Sequence, residues 1–443
     1  MTRNIYEVKD VFTPAIQAIK TFVERDAYTT NLLVDSLNTL GQQIILYGHS
    51  GSGKSTLLIN KLNQVSPQKL ITTRCVSSMT YESVLMDAFD KLDKYFIEER
   101  ISNKKHSFNT SISLFNNIKV ASGQIGYSID NSSTLSEKRI IPPQLTPQNL
   151  ARFFGELNIY WILEDFHKIL GTEKVKLTQA MKVFVDMAPE YPDVKIIALG
   201  AVNSAREVVD YDQEMNNRVA EIYVGLMNDE EIKELIFKGE KLLNIYFNSE
   251  VVKRLVKFSN GIPSITHQLC LNICFQKGIN CTQEKSVVIT EKDFRESLVR
   301  YIDQKSDTLK RDFDRAVNNI DNILINPKDI INCALNYCKE EFTLSELGSK
   351  LGYTNDYEIE ALRSLCNELT TPTRSEIFYF DSDSGKYFFS NYFLRSYSII
   401  RLSMESDISN SKNKEIKANI LKILDDSLTN DELDGFGEEA EEW

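Results

Sequence analysis

GQQIILYGHSGSGKSTLLINKL, residues 41 to 62, passes from a turn into an apolar strand, Ile44 to Tyr47, then through a glycine loop into a helix opening at Lys54. Within it, Gly48, His49, Ser50, Gly51, Ser52, Gly53, Lys54 and Ser55 match the spacing GxxxxGK[ST] at every fixed position. Glycines there let backbone N–H groups curl around the β and γ phosphates of a nucleotide. The Lys54 ammonium neutralises those phosphates, and the Ser55 hydroxyl is placed to ligate Mg²⁺. With Thr56 these residues form a candidate phosphate cradle, so ATP and Mg²⁺ are the expected cofactors.

Strand and helix keep alternating on the C-terminal side. LITTRCV (70–76) reads as a strand, TYESVLMDAFDKLDKYFIEE (80–99) as an amphipathic helix, and LTPQNLARFFGEL (145–157) as a helix with Thr146 as N-cap and Pro147 at its first position. IYWILEDFHKIL (159–170) is an apolar strand ending in two carboxylates, and VKIIALGAVNSAREVVD (194–210) is a further strand. Such alternation predicts an α/β fold, a P-loop NTPase with a parallel sheet. A polar, Ser- and Asn-rich stretch at about 101–140 reads as a surface insertion.

A cradle alone hydrolyses nothing; a neighbouring strand must bring one carboxylate to the metal and another to the attacking water. WILED places Glu164 and Asp165 there, Glu164 as expected metal ligand and Asp165 to polarise the water. Hydrolysis with the shorter side chain in the second role is expected to be slow.

The flanks extend this plan. FTPAIQAIKTFVERDAYTTNLLVDSL (12–37) has helical spacing. From Asn228 to about Ile320 the pattern is almost entirely helical, broken at SNGIPSI (259–265) and restarted by the capping box Thr290–Asp293. Then NPKDIINCALNYCKEE, FTLSELGSKLG with capping box Thr343–Glu346, DYEIEALRSLCNEL and EIFYFDSDSGKYFFS give three helices and a hairpin, the outline of a winged helix. The expected organisation is an NTPase core at 1–227, a helical lid at 228–320, a winged-helix domain at 321–405 and an acidic tail at 406–443.

Composition narrows the classes. The formal charge of −12 includes nine acidic residues between Asp425 and Trp443, which leaves about −3 for the rest and no basic nucleic-acid face. No run approaches about 18 apolar residues. Nor do the first thirty residues resemble a signal peptide, so a cytoplasmic protein with no membrane contact is expected. Seven cysteines (75, 270, 274, 281, 333, 338, 366) contain no CxxC pair, and four histidines (49, 106, 167, 267) offer no second pair at zinc spacing. His267 reads as a satisfied helix-surface histidine, with an approach to phosphate as the alternative.

FVERD (22–26), GHSGSGKST (48–56), ILEDFHKI (162–169), KIIALGAVNSAREV (195–208), NNRVAEIYVGLMNDEEI (216–232) and SNGIPSITHQLC (259–270), in that order, resemble the AAA+ and STAND ATPases, on the side nearest the replication-initiator ATPases. The resemblance covers roughly residues 10–280 and implies that Phe22 to Arg25 lie near the adenine. It implies a polar γ-phosphate sensor at Asn203 or Ser204, and an arginine that reaches a neighbouring subunit's site at Arg218 or Arg206, hence a homo-oligomer. Pro263 with Gly261 matches the lid motif in which the proline region contacts nucleotide, and no lid arginine is present there.

The expected recognition helix carries Asp356, Glu358, Glu360 and Glu368 against Arg363, with Asp381 and Asp383 in the wing, a face that repels phosphates. Lys386, Arg374, Arg395 and Arg401 are expected to form a separate basic strip. Two functions follow. One is an ATP-dependent, slowly hydrolysing switch controlling a separately encoded effector, which the resemblance associates with bacterial antiviral defence. The other is a DNA-binding initiator-like or transposition-regulating ATPase. A small-molecule kinase is disfavoured by the helical lid and C-terminal domain.

Overall fold

The computed structural model describes residues 4–65, 69–102, 145–201, 215, 217–304, 306–318, 325–337, 341–382 and 384–407, the backbone alone at 93–102 and 306. Nearly all of the expected insertion, most of the acidic tail, Asn203, Ser204, Arg206 and Asp383 therefore lie outside the described residues. Two compact units divide the chain: residues 1–243 with 261–267, and residues 244–260 with 268–443.

In the first unit, a short helix α1 (Val8–Val11) precedes α2 (Ala27–Asn38), which Asp26 caps by accepting from the Thr29 amide. The helical spacing read over 12–26 is not realised as a helix: these residues run as an irregular segment. Pro14 and the buried contacts of Phe12 and Val23 override the periodicity there. β1 (Gln43–Tyr47), α3 (Lys54–Val65), β2 (Lys69–Arg74), α4 (Tyr81–Ser102), α5 (Pro147–Leu157) and β3 (Ile159–Glu164) follow. Thr146 caps α5 by accepting from the Asn149 amide, and Pro147 stands in the first turn as its spacing predicts. α6 (Gly171–Asp186), β4 (Lys195–Gly200), β5 (Val219–Tyr223) and α7 (Asp229–Leu243) complete the unit.

All five strands are parallel, in the order β2-β3-β4-β1-β5. Buried on both faces, β1, β3 and β4 read as continuous apolar runs. Trp161, Phe154 and Phe184 meet on one face, Trp161 and Phe154 edge-on with centroids 5.9 Å apart. Leu33, Leu57, Leu58 and Ile197 fill the other. Parallel registration brings the C-terminal ends of β1, β3 and β4 to one edge, where open α/β sheets bind ligands. This is the P-loop NTPase fold expected from the alternation.

The second unit contains β6 (Ile245–Phe247), α8 (Ser249–Ser259), most of α9 (Pro263–Gln276), β7 (Val287–Ile289), α10 (Glu291–Gln304) and α11 (Arg311–Val317). The sequence pattern here is almost entirely helical. Yet β6 and β7 pair in parallel, Ile245 opposite Val287, through runs of three residues too short to show a strand period. α12 (Pro327–Tyr337), β8 (Glu341–Phe342), α13 (Leu344–Leu351), α14 (Asp356–Glu368), β9 (Phe378–Asp381) and β10 (Lys386–Phe389) follow, with a helix α15 over 392–407. The capping box of α13 is formed on both sides, Thr343 with Glu346. β10 lies antiparallel between β8 and β9, and the rings of Phe342 and Phe378 meet at 5.1 Å beneath it.

The basic strip read from the sequence does not form. Arg374 and Arg395 are 2% and 5% exposed: Arg374 binds Glu368 and the carbonyls that end α11, and Arg395 donates to Asn260 Oδ1 at 2.6 Å. Lys386 pairs with Glu341 and Arg401 with Glu405. Burial of the arginine stems is what the spacing concealed. Among the described residues no helix is long and apolar enough to cross a membrane.

Candidate functional site

β1 ends at Tyr47 and the chain turns at Gly48, whose φ of +151° and closeness to Val224 leave no space for a side chain: a Cβ would stand 2.3 Å from the Val224 carbonyl oxygen. The loop then climbs to the N-terminus of α3, where unpaired N–H groups and the helix dipole favour an anion. Ser52 is fully buried, and its hydroxyl has no hydrogen-bond partner among the described residues. Lys54 donates to the Gly48 and His49 carbonyls at 2.9 and 2.8 Å, so its ammonium is held over the loop. Burial lowers its pKa to about 8, with Asp165 opposing the shift. Burial, and then the Lys54 charge, lowers His49 to about 4, so this imidazole adds no positive charge.

β3 brings the acids, with β4 standing between it and β1. Ser55 Oγ donates to Glu164 Oε1 at 3.4 Å, uniting the helix start with the strand end. The other oxygen of Glu164 is held at 3.2 Å by Arg74 Nε, from the last residue of the neighbouring strand. Asp165 behaves differently: its backbone is left-handed (φ +58°), and its carboxylate turns to Lys168 at 2.7 Å. A non-glycine residue there is uncommon and redirects the side chain at the strand end. Arg74 was not singled out in the sequence; only its place opposite Glu164 across two strands identifies it, a register no local pattern reveals.

A cavity of about 450 Å³ opens from this edge, within the range of small-ligand sites. It is lined by Gly48, Ser50 to Leu57, Glu164, Asp165, residues 199–201, the segment 13–18 with Thr21 to Val23 and Arg25, and Pro263, Ser264 and His267. Phe22 and Arg25 thus stand in the same cavity as the phosphate loop. The Arg25 guanidinium is committed to the protein, donating to Gly225 and Ser52 carbonyls at 2.6 and 3.4 Å. Pro263 lies against the loop, its Cγ 3.6 Å from a Cβ placed on Gly53. His267 is buried, 3% exposed, and not on a helix surface as its position suggested.

Arg218 stands at the opposite edge of the sheet. It immediately precedes β5, its carbonyl accepts from the Gln43 amide at the start of β1, and its guanidinium pairs with Asp186 at 3.2 Å. The five residues of β1 set it about 16 Å from the loop.

These donors fit a nucleoside triphosphate with its metal: a glycine cradle at a helix N-terminus, a lysine aimed across it, and a hydroxyl beside a carboxylate. Among the described residues there is no group of three His, Cys, Asp or Glu that could hold a metal unaided. Mg²⁺ commonly needs only one or two protein oxygens beside substrate phosphates, which suits Ser55 and Glu164.

No family model matches the chain, and no curated protein matches it. Solved structures do. The Walker-type ATPase PABY2304 of Pyrococcus abyssi is similar at a TM-score of 0.52 and 14% identity, over 88% of this chain and 99% of that one. The Aeropyrum pernix ORC2 protein, solved as ADPNP–ADP complexes, matches at 0.45 and 9%, over 91% and 99%. Cdc6p from Pyrobaculum aerophilum matches at 0.40 and 10%, over 91% and 99%. At 14% identity the first of these likenesses is one of fold, and that fold spans most of both chains.

Proposed function

We propose that this protein is an AAA+-type ATPase of the initiator-like kind, which binds MgATP in the cavity above β1 and hydrolyses it as a timed switch. The single observation that carries the proposal is the meeting of Ser55 and Glu164 beneath the Lys54 cradle. Bound Mg²⁺ would neutralise the phosphate oxygens and polarise the γ phosphorus. Lys54 would hold the β and γ phosphates, Ser55 and Glu164 would hold the metal, and Asp165, once released from Lys168, would polarise the attacking water by accepting its proton. Asp165 in its resting pair with Lys168 supports slow turnover. Arg218, at the far edge, suits the role of a residue offered to a neighbouring copy, with Asn203 as sensor.

The order helix, strand, helix, helix, strand, strand over 327–389 supports reading the C-terminal elements as a winged helix. That order also favours a second reading, an initiator-like ATPase whose winged helix engages DNA. The acidic face of α14 and the burial of Arg374 and Arg395 weigh against duplex binding through these residues. Control of a separately encoded effector, and an antiviral setting, rest on the sequence resemblance alone. Calorimetric titration of ATP with and without Mg²⁺, on the native chain and Lys54→Ala, tests the site. Turnover with and without duplex DNA at two salt concentrations separates the readings, since phosphate contacts weaken steeply with salt.

A further inference from the structure

Residues 11–21 form a closed loop along the wall of the nucleotide cavity. Its ends meet where Thr21 Oγ1 donates to the Val11 carbonyl at 3.0 Å, and Phe12 fixes its start. Phe12 is fully buried against Gly239 of α7, where a Cβ would come within 2.4 Å of the ring, so only glycine admits it. Residues 13–18 then pass along the cavity. Two side chains tie this stretch to the elements around it. The Thr13 amide donates to His267 Nδ1 at 3.1 Å, and Asn60 of α3 donates through Nδ2 to the Ala18 carbonyl at 3.1 Å. Thr13 has no other polar anchor among the described residues for its side chain, since its buried hydroxyl lacks a partner.

His267 lies four residues beyond Pro263 on one helix, about 6 Å along its axis. One turn of α9 therefore touches the phosphate loop at Gly53 through Pro263 and the cavity wall at Thr13 through His267. Asn60 stands on the helix that begins with Lys54 and also donates to the Thr56 carbonyl at 2.8 Å. An imidazole accepting at Nδ1 carries its proton on Nε2 and is neutral.

Resting on the reading of this cavity as a nucleotide site, we infer that His267 and Asn60 are positioning residues that stretch the 13–18 wall between the 263–267 turn and the phosphate-loop helix, setting nucleotide affinity without entering the chemistry. The wall is thereby registered to both the loop and the turn that backs it. Loss of either tie lets it drift from the bound nucleotide.

The test uses the full chain and reads two quantities: amide hydrogen exchange of residues 13–18 without nucleotide, and the dissociation constant for MgATP. His267→Ala should speed exchange at Thr13 at least tenfold. It should also weaken MgATP about five- to tenfold, the scale of one hydrogen bond, with kcat at saturation unchanged. Asn60→Ala should weaken MgATP similarly. In His267→Asn the amide oxygen replaces Nδ1 as acceptor, so both quantities should return toward the native values. Unchanged exchange in His267→Ala, or an Asn variant as impaired as the Ala variant in both quantities, would overturn the inference. A native chain that binds no nucleotide would instead overturn the assignment of the cavity, while exchange at Thr13 still decides whether the tie exists.

Discussion

Ser55 Oγ and Glu164 Oε1 lie 3.4 Å apart although 109 residues separate them in the chain, whereas Asp165, the next residue, points to Lys168. The two carboxylates at the end of β3 are therefore not equivalent. Glu164→Ala should weaken ATP binding only when Mg²⁺ is present. Asp165→Ala should leave MgATP bound and slow turnover about a hundredfold or more, the scale of a lost general base. Calorimetry with and without Mg²⁺, beside single-turnover hydrolysis, distinguishes them; identical behaviour of the two variants would refute the division of roles.

Arg74 holds the second oxygen of Glu164, and its side chain is largely exposed. An exposed pair contributes about 1 kcal/mol or less to stability, so Arg74→Ala should leave the Tm almost unchanged. Its positive charge nevertheless sits beside the expected metal position and competes for a metal ligand. Mg²⁺ affinity in the presence of ATP should therefore rise a few-fold in Arg74→Ala, and a fall would contradict the placement.

Two desolvated lysines give the ligand-free protein a pH signature. Lys54 and Lys195 both titrate near pH 8 against an ordinary value of 10.5, chiefly because burial disfavours the charged form. Between about pH 8 and 10.5 the unfolded chain binds these protons and the folded chain does not, so the destabilisation they cause is full below pH 8 and relieved as pH rises through the window. Other groups held equal, Lys54→Met and Lys195→Met should each flatten that rise in denaturant titrations. If the Lys54 ammonium is what meets the phosphates, ATP binding above pH 8 should take up a proton, visible as a buffer-dependent heat.

Arg218 is offered at the sheet edge opposite its own phosphate loop. If it serves a neighbouring copy, Arg218→Ala should lower turnover while leaving MgATP affinity within about twofold, and mixing it with Lys54→Ala should restore activity at composite sites. Arginines that act in trans change turnover by about a thousandfold or more. Absence of recovery on mixing would return Arg218 to a surface pair with Asp186.

The loop, the strand–helix alternation from β1 to β4 and the paired acids are legible because each is written in contiguous residues. Thr146, Pro147 and the Thr343–Glu346 capping box also act over a single helical turn. What escaped depends on partners distant in sequence. The wall of residues 12–26 carries helical spacing, but its apolar side chains answer to Gly239 and the cavity. His267 has the spacing of a surface residue, because nothing near it in sequence announces Thr13 as its partner. Arg374 and Arg395 looked like free cations because burial of a long side chain leaves no mark on the local pattern. Arg74 depended on the β2–β3 register.

The most direct test of the central claim is hydrolysis of ATP by the purified chain in the presence and absence of Mg²⁺, with Lys54→Ala as the comparison. Slow, Mg²⁺-dependent release of phosphate that disappears in Lys54→Ala is the result expected of the site built by Lys54, Ser55 and Glu164. Release that persists in Lys54→Ala, or a native chain that neither binds nor hydrolyses ATP with Mg²⁺ present, would contradict it.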